Sequence, residues 1–250
     1  MIICFSGTGN SLRVARQLSS LLGDSITELR GSVLLSPEQF RTDGSERIIW
    51  VFPTHSWGVP PMLLRFMRKT KIVCCDHYMV TTCGDDIGNC HIMWRKAVTE
   101  TGGNPVAAFS VTMPNTYVAF PGFDTDSAEL EYDKLEKSAD RVRAVAECIR
   151  SGKAVDDVTR GAMPWLKTSV IYPWFVRNMI NPRKFHLSDS CVGCGTCAGS
   201  CPVDNITLKD GRPVWGNTCA MCLACYHSCP GRAIDYGKLT RGKHQYKPEK

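Results

Sequence analysis

The stretch Cys191-Val192-Gly193-Cys194-Gly195-Thr196-Cys197-Ala198-Gly199-Ser200-Cys201-Pro202 carries four cysteines at a fixed spacing and ends in proline. The spacing returns in a second run, which comprises Cys219, Cys222, Cys225, Cys229 and Pro230. In C-x2-C-x2-C-x3-C-P runs the first three thiolates bind one [4Fe-4S] cluster, and the fourth binds the other cluster. The spacing therefore predicts two clusters with crossed ligands: Cys191, Cys194, Cys197 and Cys229 for one, and Cys219, Cys222, Cys225 and Cys201 for the other.

Two other uses of the cysteines stay open at this point. Structural zinc is usually bound by CxxC pairs that a longer loop separates. A disulfide framework is the second alternative, and it is typical of secreted chains. Neither alternative requires a duplicated run of four cysteines that ends in proline, so the cluster interpretation is favoured.

Residues 186–237, which contain both runs, resemble a bacterial-type two-cluster ferredoxin. The internal repeat continues beyond the cysteines, since Cys201-Pro202 and Cys229-Pro230 each lead into a short apolar segment around Ile206 and Ile234. The resemblance implies a small α+β domain. A domain of this size buries too little apolar surface to be stable alone, so the clusters are expected to supply folding free energy.

The beginning of the chain carries a different signal. Met1–Phe5 is an apolar run typical of a buried strand, and an amphipathic helix follows near Leu12. Between them lies a turn rich in hydroxyl groups and glycine, composed of Ser6, Gly7, Thr8, Gly9, Asn10 and Ser11. A strand, such a turn and a helix start together form an anion site, because backbone amides and the helix dipole favour a phosphate. The turn lacks the Lys-Ser/Thr ending of a nucleoside-triphosphate loop and the third glycine of a dinucleotide fingerprint.

Two later loops also follow strand-like segments. Residues 47–52 form an apolar run that leads into Pro53-Thr54-His55-Ser56-Trp57-Gly58-Val59-Pro60. Residues 78–82 form another, which leads into Cys83-Gly84-Asp85-Asp86. In an alternating β/α chain, these loops and the glycine turn lie at the carboxyl ends of parallel strands, which is where open sheets bind ligands.

The order of the three loops resembles a flavodoxin, and the resemblance covers residues 1–151. It implies a doubly wound, five-stranded parallel sheet that binds FMN, with the phosphate on the 6–11 turn and Trp57 stacked on the isoalloxazine. Gly58 would let a peptide group face the flavin N5, and Asp85 would lie near the pyrimidine edge. The remaining cofactor-binding residues implied by these loops are Thr54, Ser56, Cys83 and Gly84.

Purely structural roles, without a bound ligand, remain open for several of these residues. Trp57 could be a surface or interface aromatic side chain. Asp85 and Asp86 could cap the helix that follows them. His55 and His91 flank the expected site but have no partner in the sequence, which favours solvated or core histidines over proton donors.

The chain departs from the flavodoxin pattern at two positions. Val59 stands where many flavodoxins have an acidic residue, and Gly88 stands where many have a second stacking aromatic side chain. One flavin face is therefore expected to be open or covered by another group. Tyr117, in a loop after the strand-like residues 106–111, is a candidate cover, although a packed turn tyrosine is an equal alternative.

Basic charge is concentrated in two parts of a chain whose formal net charge is +6. Residues 152–185 form a connector with six basic and two acidic side chains, and residues 238–250 form a tail with five and one. The connector mixes aromatic, basic and proline residues. It is expected to dock one domain on the other, with a membrane-surface contact or a dimer seam as alternatives, and it is too interrupted for a transmembrane span. The tail is expected to be solvated.

The composition also limits location and partners. Two clusters and an FMN phosphate would offset the positive charge, so nucleic acid is not an expected partner. The first residue already belongs to a core strand, which argues against a secretory signal. The six other cysteines show no framework spacing, as expected for a reducing cytoplasm and an anaerobic organism.

Taken together, the resemblances imply a flavodoxin–ferredoxin fusion that transfers electrons between FMN, two [4Fe-4S] clusters and redox partners. The expected partners are low-potential oxidoreductases and ferredoxin-dependent enzymes, and a homodimer is one possible assembly. An FMN-dependent reductase that acts on a small acceptor is the main alternative, and a sensing module with structural clusters is a third. An electron carrier is favoured over a substrate-specific enzyme because no acid/base pair is evident.

The crossed pattern generates a testable expectation. Replacing Cys201 with alanine should remove the cluster bound mainly by Cys219, Cys222 and Cys225, although Cys201 lies in the other run. Iron determination and EPR spectroscopy of the anaerobically purified variant distinguish the two clusters. Loss of the cluster bound by Cys191, Cys194 and Cys197 instead would contradict the crossed assignment.

Overall fold

The central element of the chain is a parallel sheet of six strands in the order β2-β1-β3-β4-β5-β6. A computed structural model describes residues 1–42, 44, 46–70, 72 and 75–247. The strands are β1 (Ile2–Cys4), β2 (Ile26–Glu28), β3 (Arg47–Pro53), β4 (Asp76–Cys83), β5 (Asn104–Thr112) and β6 (Asp156–Asp157). The order of the first five is that of the flavodoxin-like doubly wound folds, which confirms the predicted fold class.

Helices cover both faces of the sheet and create two apolar cores. They are α1 (Asn10–Leu22), α2 (Gly31–Leu35), α3 (Pro61–Lys69), α4 (Cys90–Glu100) and α5 (Ala128–Arg150). One core includes Val14 and Leu18 of α1 and Val142 of α5. The other includes Phe66 of α3 and Trp94 of α4. Since both faces are covered, the strands are continuous apolar runs rather than alternating ones, and this property made them visible in the sequence.

The sheet has one strand more than the sequence predicted. β6 lies in the segment expected to be connector, and it pairs with β5 through Ala108 and Phe109. Arg141 of α5 holds this strand by hydrogen bonds to the Asp157 carboxylate and carbonyl. The expectation of five strands is therefore wrong by this two-residue strand, which carries only aspartates and has no apolar signature.

Residues 164–178 of the connector form one continuous helical segment. It consists of α6 (Pro164–Leu166), a π-helical turn (Lys167–Ile171) and α7 (Tyr172–Asn178). The Tyr172 hydroxyl donates to the Val59 carbonyl at 2.6 Å, and the Thr168 hydroxyl donates to the Trp57 carbonyl at 2.7 Å. The segment thus lies against the loop that follows β3.

The cysteine-rich region contains two small antiparallel sheets and two short helices. β7 (Phe185–Leu187) pairs with β10 (Ile234–Tyr236), and β8 (Ile206–Lys209) pairs with β9 (Arg212–Trp215). The helices α8 (Thr196–Ser200) and α9 (Ala224–Ser228) occupy equivalent places in the two cysteine runs. Apolar residues of this region, such as Tyr236, belong to the same buried cluster as the core beneath α3 and α4, so the two regions share one core.

The C-terminal segment contacts the first domain at Lys243 and Tyr246. The Lys243 ammonium donates to the carbonyls of Val118, Phe120 and Phe123 at 2.7 Å. The Tyr246 side chain is buried, and its hydroxyl donates to Asn10 Oδ1 at 2.7 Å. Lys238, Arg241 and Lys247 are exposed, so the expectation of a solvated tail fails at Lys243 and Tyr246, and Lys250 lies outside the described residues.

Two further observations concern the chain as a whole. None of the described helices is long and apolar enough to cross a membrane. Among the described cysteines, none forms a disulfide bond, and Cys74 lies outside the described residues.

The hydrogen bond between Tyr246 near the C-terminus and Asn10 near the N-terminus can be tested by replacing Tyr246 with phenylalanine. This change leaves Asn10 Oδ1 buried without that donor, which should destabilise the protein by about 1–3 kcal/mol. Urea unfolding under anaerobic conditions, followed by circular dichroism, measures the effect. Tyr132→Phe is a suitable control because Tyr132 is 68% exposed. An equal effect of both changes would contradict the contact.

Candidate functional site

A cavity of about 400 Å³ lies at the carboxyl edge of the sheet. It is lined by all three loops that the sequence singled out, and by parts of the connector and of the second cysteine run. The lining residues from the three predicted loops are Gly7, Thr8, Pro53, Thr54, His55, Ser56, Trp57, Cys83, Gly84, Asp85 and Asp86, and Tyr117 lines the cavity from the loop after β5. The volume falls within the range of small-molecule and cofactor sites.

The glycine turn contributes backbone rather than side chains to this site. Gly9 has a φ of 102°, in the left-handed region that favours glycine, and α1 begins directly after it. The Ser6 hydroxyl accepts hydrogen bonds from the Gly9 and Leu12 amides. Among the described residues, no acceptor receives the amides of Asn10 or Ser11, as expected for the first turn of a helix.

The side chains of Asn10 and Ser11 are buried and have protein partners. Asn10 Nδ2 donates to the Pro114 carbonyl at 2.9 Å, and the Ser11 hydroxyl lies 2.7 Å from that of Thr82. Neither residue lines the cavity. The sequence grouped all six turn residues together, but the structure separates Gly7 and Thr8, which border the cavity, from Asn10 and Ser11, which anchor the turn.

The loop after β3 is a tight hairpin turn. His55 and Gly58 exchange backbone hydrogen bonds of 2.9 and 3.0 Å. The two residues between them, Ser56 and Trp57, have positive φ angles of 45° and 63°. A residue with a Cβ atom in this region costs roughly 1–2 kcal/mol, and such strain is concentrated at functional sites. The turn is what presents Trp57 at the cavity wall.

Gly58 lies against the connector and does not line the cavity. A Cβ atom there would be 2.4 Å from the Tyr172 ring. At Gly88, which has a φ of 55°, a Cβ atom would be 2.7 Å from the Thr168 hydroxyl and 3.0 Å from the Trp57 Cβ. Both glycines therefore create room for the connector helix, a role that the sequence did not reveal.

Val59 is placed differently from the expectation drawn from flavodoxins. Its side chain is fully buried in the core beneath α3 and α4 and does not line the cavity. The carboxylate that many flavodoxins carry here would be buried among apolar groups in this chain. Valine at this position therefore fits the packing of the core.

Aromatic and apolar residues of the connector complete the cavity wall. Tyr117 lines the cavity as predicted, and its ring makes edge contacts with Phe123 and Phe175. The lining residues that the sequence did not identify are Ile171, Trp174, Phe175 and Met179 of the connector, Asn115, Thr116, Phe120 and Phe123 of the loop after β5, and Met221 of the second cysteine run. Spacing in the connector was compatible with a helix, but nothing in it indicated which face meets the cavity.

The loop after β4 places two carboxylates at the cavity. Asp86 accepts a hydrogen bond from the Gly88 amide and forms a 2.6 Å ion pair with Lys167. The Lys167 ammonium lies 5.2 Å from the centre of the Trp57 ring, which is a cation–π distance. Asp86 thus supports the turn before α4, while Lys167 links it to Trp57. Burial, followed by the charges of Asp86 and Asp85, raises the pKa of Cys83 to about 12, so its thiol is neutral.

Two polar atoms in the cavity wall are buried and have no hydrogen-bond partner among the residues that the structure describes. They are His55 Nδ1 and the Tyr117 hydroxyl. Burial lowers the pKa of His55 to about 4 and raises the pKa of Tyr117, so both side chains are neutral at pH 7. Buried polar atoms normally have partners, so these two fit a ligand that carries hydrogen-bonding groups. His91 also has an unpartnered Nδ1 but does not line the cavity.

The first group of cysteines combines residues from both runs. A small pocket is lined by Cys191, Cys194, Cys197 and Cys229. Burial raises the pKa of Cys197, and the neighbouring Cys229 and Cys194 thiols contribute to the shift. Cys194 is exposed. The structure therefore brings the fourth cysteine of the second run to the first three of the first run.

The second group is deeper. Burial chiefly raises the pKa of Cys222 to about 12, and repulsion from the Cys219 and Cys201 thiolates adds to it. Burial likewise raises the pKa of Cys225, with Cys222, Cys219 and Cys201 as further contributors. Cys201 thus lies with the three leading cysteines of the other run. Backbone amides donate to sulfur at 3.3 Å in both groups, for example from Asn205 to Cys201 and from Ala233 to Cys229.

The two cysteine runs follow the same backbone conformation, but the conformational strain of that backbone is greater in the second run. Gly193 and Gly195 have positive φ angles in the first run, and Met221 and Leu223 occupy the same positions with φ angles of 53° and 60° in the second. Left-handed φ is strained for residues other than glycine. Met221 lines the cavity, so the strained position carries a side chain that closes the wall.

The second run and the glycine turn are in direct contact. A Cβ atom on Gly7 would be 2.6 Å from the Cβ of Cys222. Cys222 itself lines the cavity. One side of this cysteine therefore belongs to the cavity and the other to the second cysteine group.

Comparisons with known proteins agree with this division of the chain. Residues 186–207 match the family model for the 4Fe-4S binding domain. A ferredoxin of Clostridium butyricum is 62% identical over 26 residues, which cover 10% of this chain and 47% of that protein. A polyferredoxin of Methanothermus fervidus is 29% identical over 68 residues, which cover 25% of this chain and 16% of that protein. The chain thus spans less than half of either relative.

Solved structures similar to this chain include flavodoxins. That of Fusobacterium nucleatum, bound to flavin mononucleotide, is 12% identical, with 58% of this chain and 95% of that chain covered and a TM-score of 0.37. That of Streptococcus pneumonia is 15% identical, with 58% and 97% covered and a TM-score of 0.34. The fold assignment itself rests on the strand order. The chain thus joins a flavodoxin-like domain to a 4Fe-4S ferredoxin-type segment.

The packing of the connector on the Trp57 loop predicts coupling between Gly58 and Tyr172. Gly58→Ala should destabilise the protein by about 1–3 kcal/mol, because the new methyl group overlaps the tyrosine ring. In a protein that already carries Tyr172→Ala, Gly58→Ala should lower the free energy of unfolding less than it does in the unchanged protein, by on the order of 1 kcal/mol. A double-mutant cycle from urea unfolding measures this coupling. Gly199→Ala, which meets nothing within 4 Å, is the control, and strict additivity would contradict the contact.

Proposed function

We propose that this protein transfers electrons between an FMN held in the cavity and two [4Fe-4S] clusters bound by the two cysteine groups. The observation that carries the proposal is the shared wall at Cys222, which belongs to the second cysteine group and also lines the cavity. When bound, FMN accepts one or two electrons and each cluster one, so the pair links one-electron and two-electron partners.

The cavity fits FMN in shape and in chemistry. Its walls are mainly aromatic and apolar, which suits an isoalloxazine, and Trp57 and Tyr117 are available on them. The partnerless His55 Nδ1 and Tyr117 hydroxyl could bond polar edges of the ring. The glycine turn borders the cavity through Gly7 and Thr8, and a phosphate bound there would lie beside the start of α1, where a helix N-terminus favours anions.

The cysteine groups fit two crossed cubane clusters. Each group contains four cysteines, three from one run and one from the other. Burial raises the pKa of Cys219 and of Cys222, so loss of their protons would be coupled to iron binding. The amide hydrogen bonds to sulfur are of the kind that tunes cluster potentials.

The two groups have different surroundings, and this difference suggests their roles. The second group borders the cavity through Met221 and Cys222. The first group includes the exposed Cys194, so a redox partner protein would approach there. We propose low-potential oxidoreductases and ferredoxin-dependent enzymes as the partners. We propose residues 1–151 as the flavin domain, to whose sheet the connector adds β6, and residues 186–237 as the cluster domain.

The alternative of a reductase for a small acceptor depended on an open flavin face at Gly88. In the structure Gly88 is closely packed by Trp57 and Thr168. The connector residues Trp174 and Phe175 line the cavity and could supply the other group that was expected, as one of two possibilities, to cover that face. The carrier function is therefore better supported than the reductase function.

The flavin assignment predicts a specific effect of replacing Gly9 with valine. Valine is strained at a φ of 102°, so the turn should open and flavin retention should fall by at least about tenfold. Gly23→Val is a matched control, because Gly23 ends the same helix with a φ of 75° and has free space around it. Flavin released by acid treatment, per polypeptide, is the measurement. Flavin loss in the control alone would contradict the assignment.

The function itself is tested by anaerobic spectroelectrochemistry of the purified protein. We expect about eight iron atoms and one FMN per chain. The reduction potentials of the two clusters and of the flavin should overlap, so that electrons can pass between them. Trp57→Ala should weaken FMN binding and shift the flavin spectrum, while the iron content and EPR signals stay unchanged. Clusters that remain oxidised while the flavin is reduced would exclude electron transfer and support a structural role for the iron.

A further inference from the structure

The outward face of the connector helix is apolar. Exposed positions recur at helical spacing, and the large side chains at four of them are Met163 (66% exposed), Trp165 (66%), Val170 (47%) and Trp174 (48%). Leu166 and Pro173 are exposed on the same face. A surface helix normally turns its apolar side inward, so this arrangement is inverted.

Polar contacts on the inner side fix this orientation. Lys167 is mostly buried in its ion pair with Asp86, and the buried Thr168 receives the Asn89 amide and donates to the Trp57 carbonyl. Rotating the helix to bury its tryptophans would break these bonds and leave a charge unpaired, which is costly. The tryptophans are therefore exposed because the inner contacts determine which face is outward.

The apolar surface extends to the mouth of the cavity. Phe120 and Phe123 are each 40% exposed, and they line the cavity together with Trp174. Along the helix, residues 163–177 span about 22 Å. Monomeric soluble proteins rarely expose apolar patches of such extent unless the patch binds something.

A groove of basic residues runs along one side of this face. It lies between α3 and α7 and is lined by Pro173 and by four cations, Arg65, Arg68, Lys69 and Arg177. None of its lining residues is acidic, although Arg68 also reaches Glu100 in an exposed ion pair. The face thus combines protruding aromatic side chains with an adjacent row of positive charge.

We propose that this face docks on an anionic lipid bilayer surface, with the connector helix lying in the plane of the interface. Tryptophan and aliphatic side chains that protrude, beside a basic row, are the features by which interfacial helices bind anionic membranes. A lipid surface offers no hydrogen-bonding pattern that the face would have to match. Residues 163–174 are all described by the structure, and Ser169 is the one polar residue among those that are exposed.

Two other occupants fit this surface less well. A second copy of the chain would bring the basic groove toward an identical one in a two-fold interface, and like charges repel. An acidic redox protein would suit the groove, but transient redox complexes are small and depend on charged, polar rims. A partner bound through the basic groove would leave the apolar face of the helix without a binding role.

Vesicle flotation with the full-length, cofactor-loaded protein tests the proposal. The vesicles are phosphatidylglycerol with phosphatidylcholine, compared with phosphatidylcholine alone. We expect binding to the anionic vesicles, weakened at least about tenfold by the double change Met163→Ser and Trp165→Ser. Arg65→Gln with Lys69→Gln should weaken binding to anionic vesicles and reduce its salt dependence.

The controls separate docking from misfolding and self-association. Tyr132→Ser removes an equally exposed aromatic side chain from α5 and should bind as the unchanged protein does. Flavin and iron content show that each variant is folded. Equal binding by the Met163/Trp165 variant, or no binding to anionic vesicles by the unchanged protein, would overturn the proposal. So would sedimentation that shows a dimer, with the Met163/Trp165 variant monomeric and no vesicle binding.

Discussion

The close approach of two backbones at Gly7 and Cys222 is the constraint on which the organisation of this molecule depends. A single methyl group at Gly7 would overlap the Cys222 side chain. Because that methyl group is absent, the turn that begins α1 touches the second cysteine run directly. The cavity at the sheet edge consequently shares a wall with the cysteine group, and no linker residues intervene. Two cofactor-binding regions that could have been joined flexibly are built as neighbours around one buried core.

The parts of the fold that were predictable from the sequence are those with short-range signatures. The spacing of the cysteines in the two runs can be recognised directly in the sequence. The strands around Trp50 and Met79 are continuous apolar segments because helices cover both faces of the sheet. The loops carrying Trp57 and Asp85 could be placed because each follows such a strand. Loops at the carboxyl ends of neighbouring parallel strands converge without any further information.

The parts that could not be predicted are those in which tertiary contacts override local pattern. The connector turns Lys167 and Thr168 inward and its tryptophans outward, opposite to the usual reading of an amphipathic helix. Strand β6 consists of two aspartates, which are poor strand formers, and Arg141 holds it in place. Val59 was placed by analogy with other chains, and its burial follows from packing that no local pattern records.

The buried hydrogen bond between Tyr246 and Asn10 joins residues 236 positions apart, and it has a consequence for biosynthesis. The turn that precedes α1 emerges from the ribosome early, but its Asn10 side chain acquires this partner only after residue 246 has been made. Between the two events, both cysteine runs are synthesised. Final closure of the turn is therefore a late step in assembly that comes after the cysteine runs have emerged, so a chain truncated before residue 246 would present an incompletely supported turn.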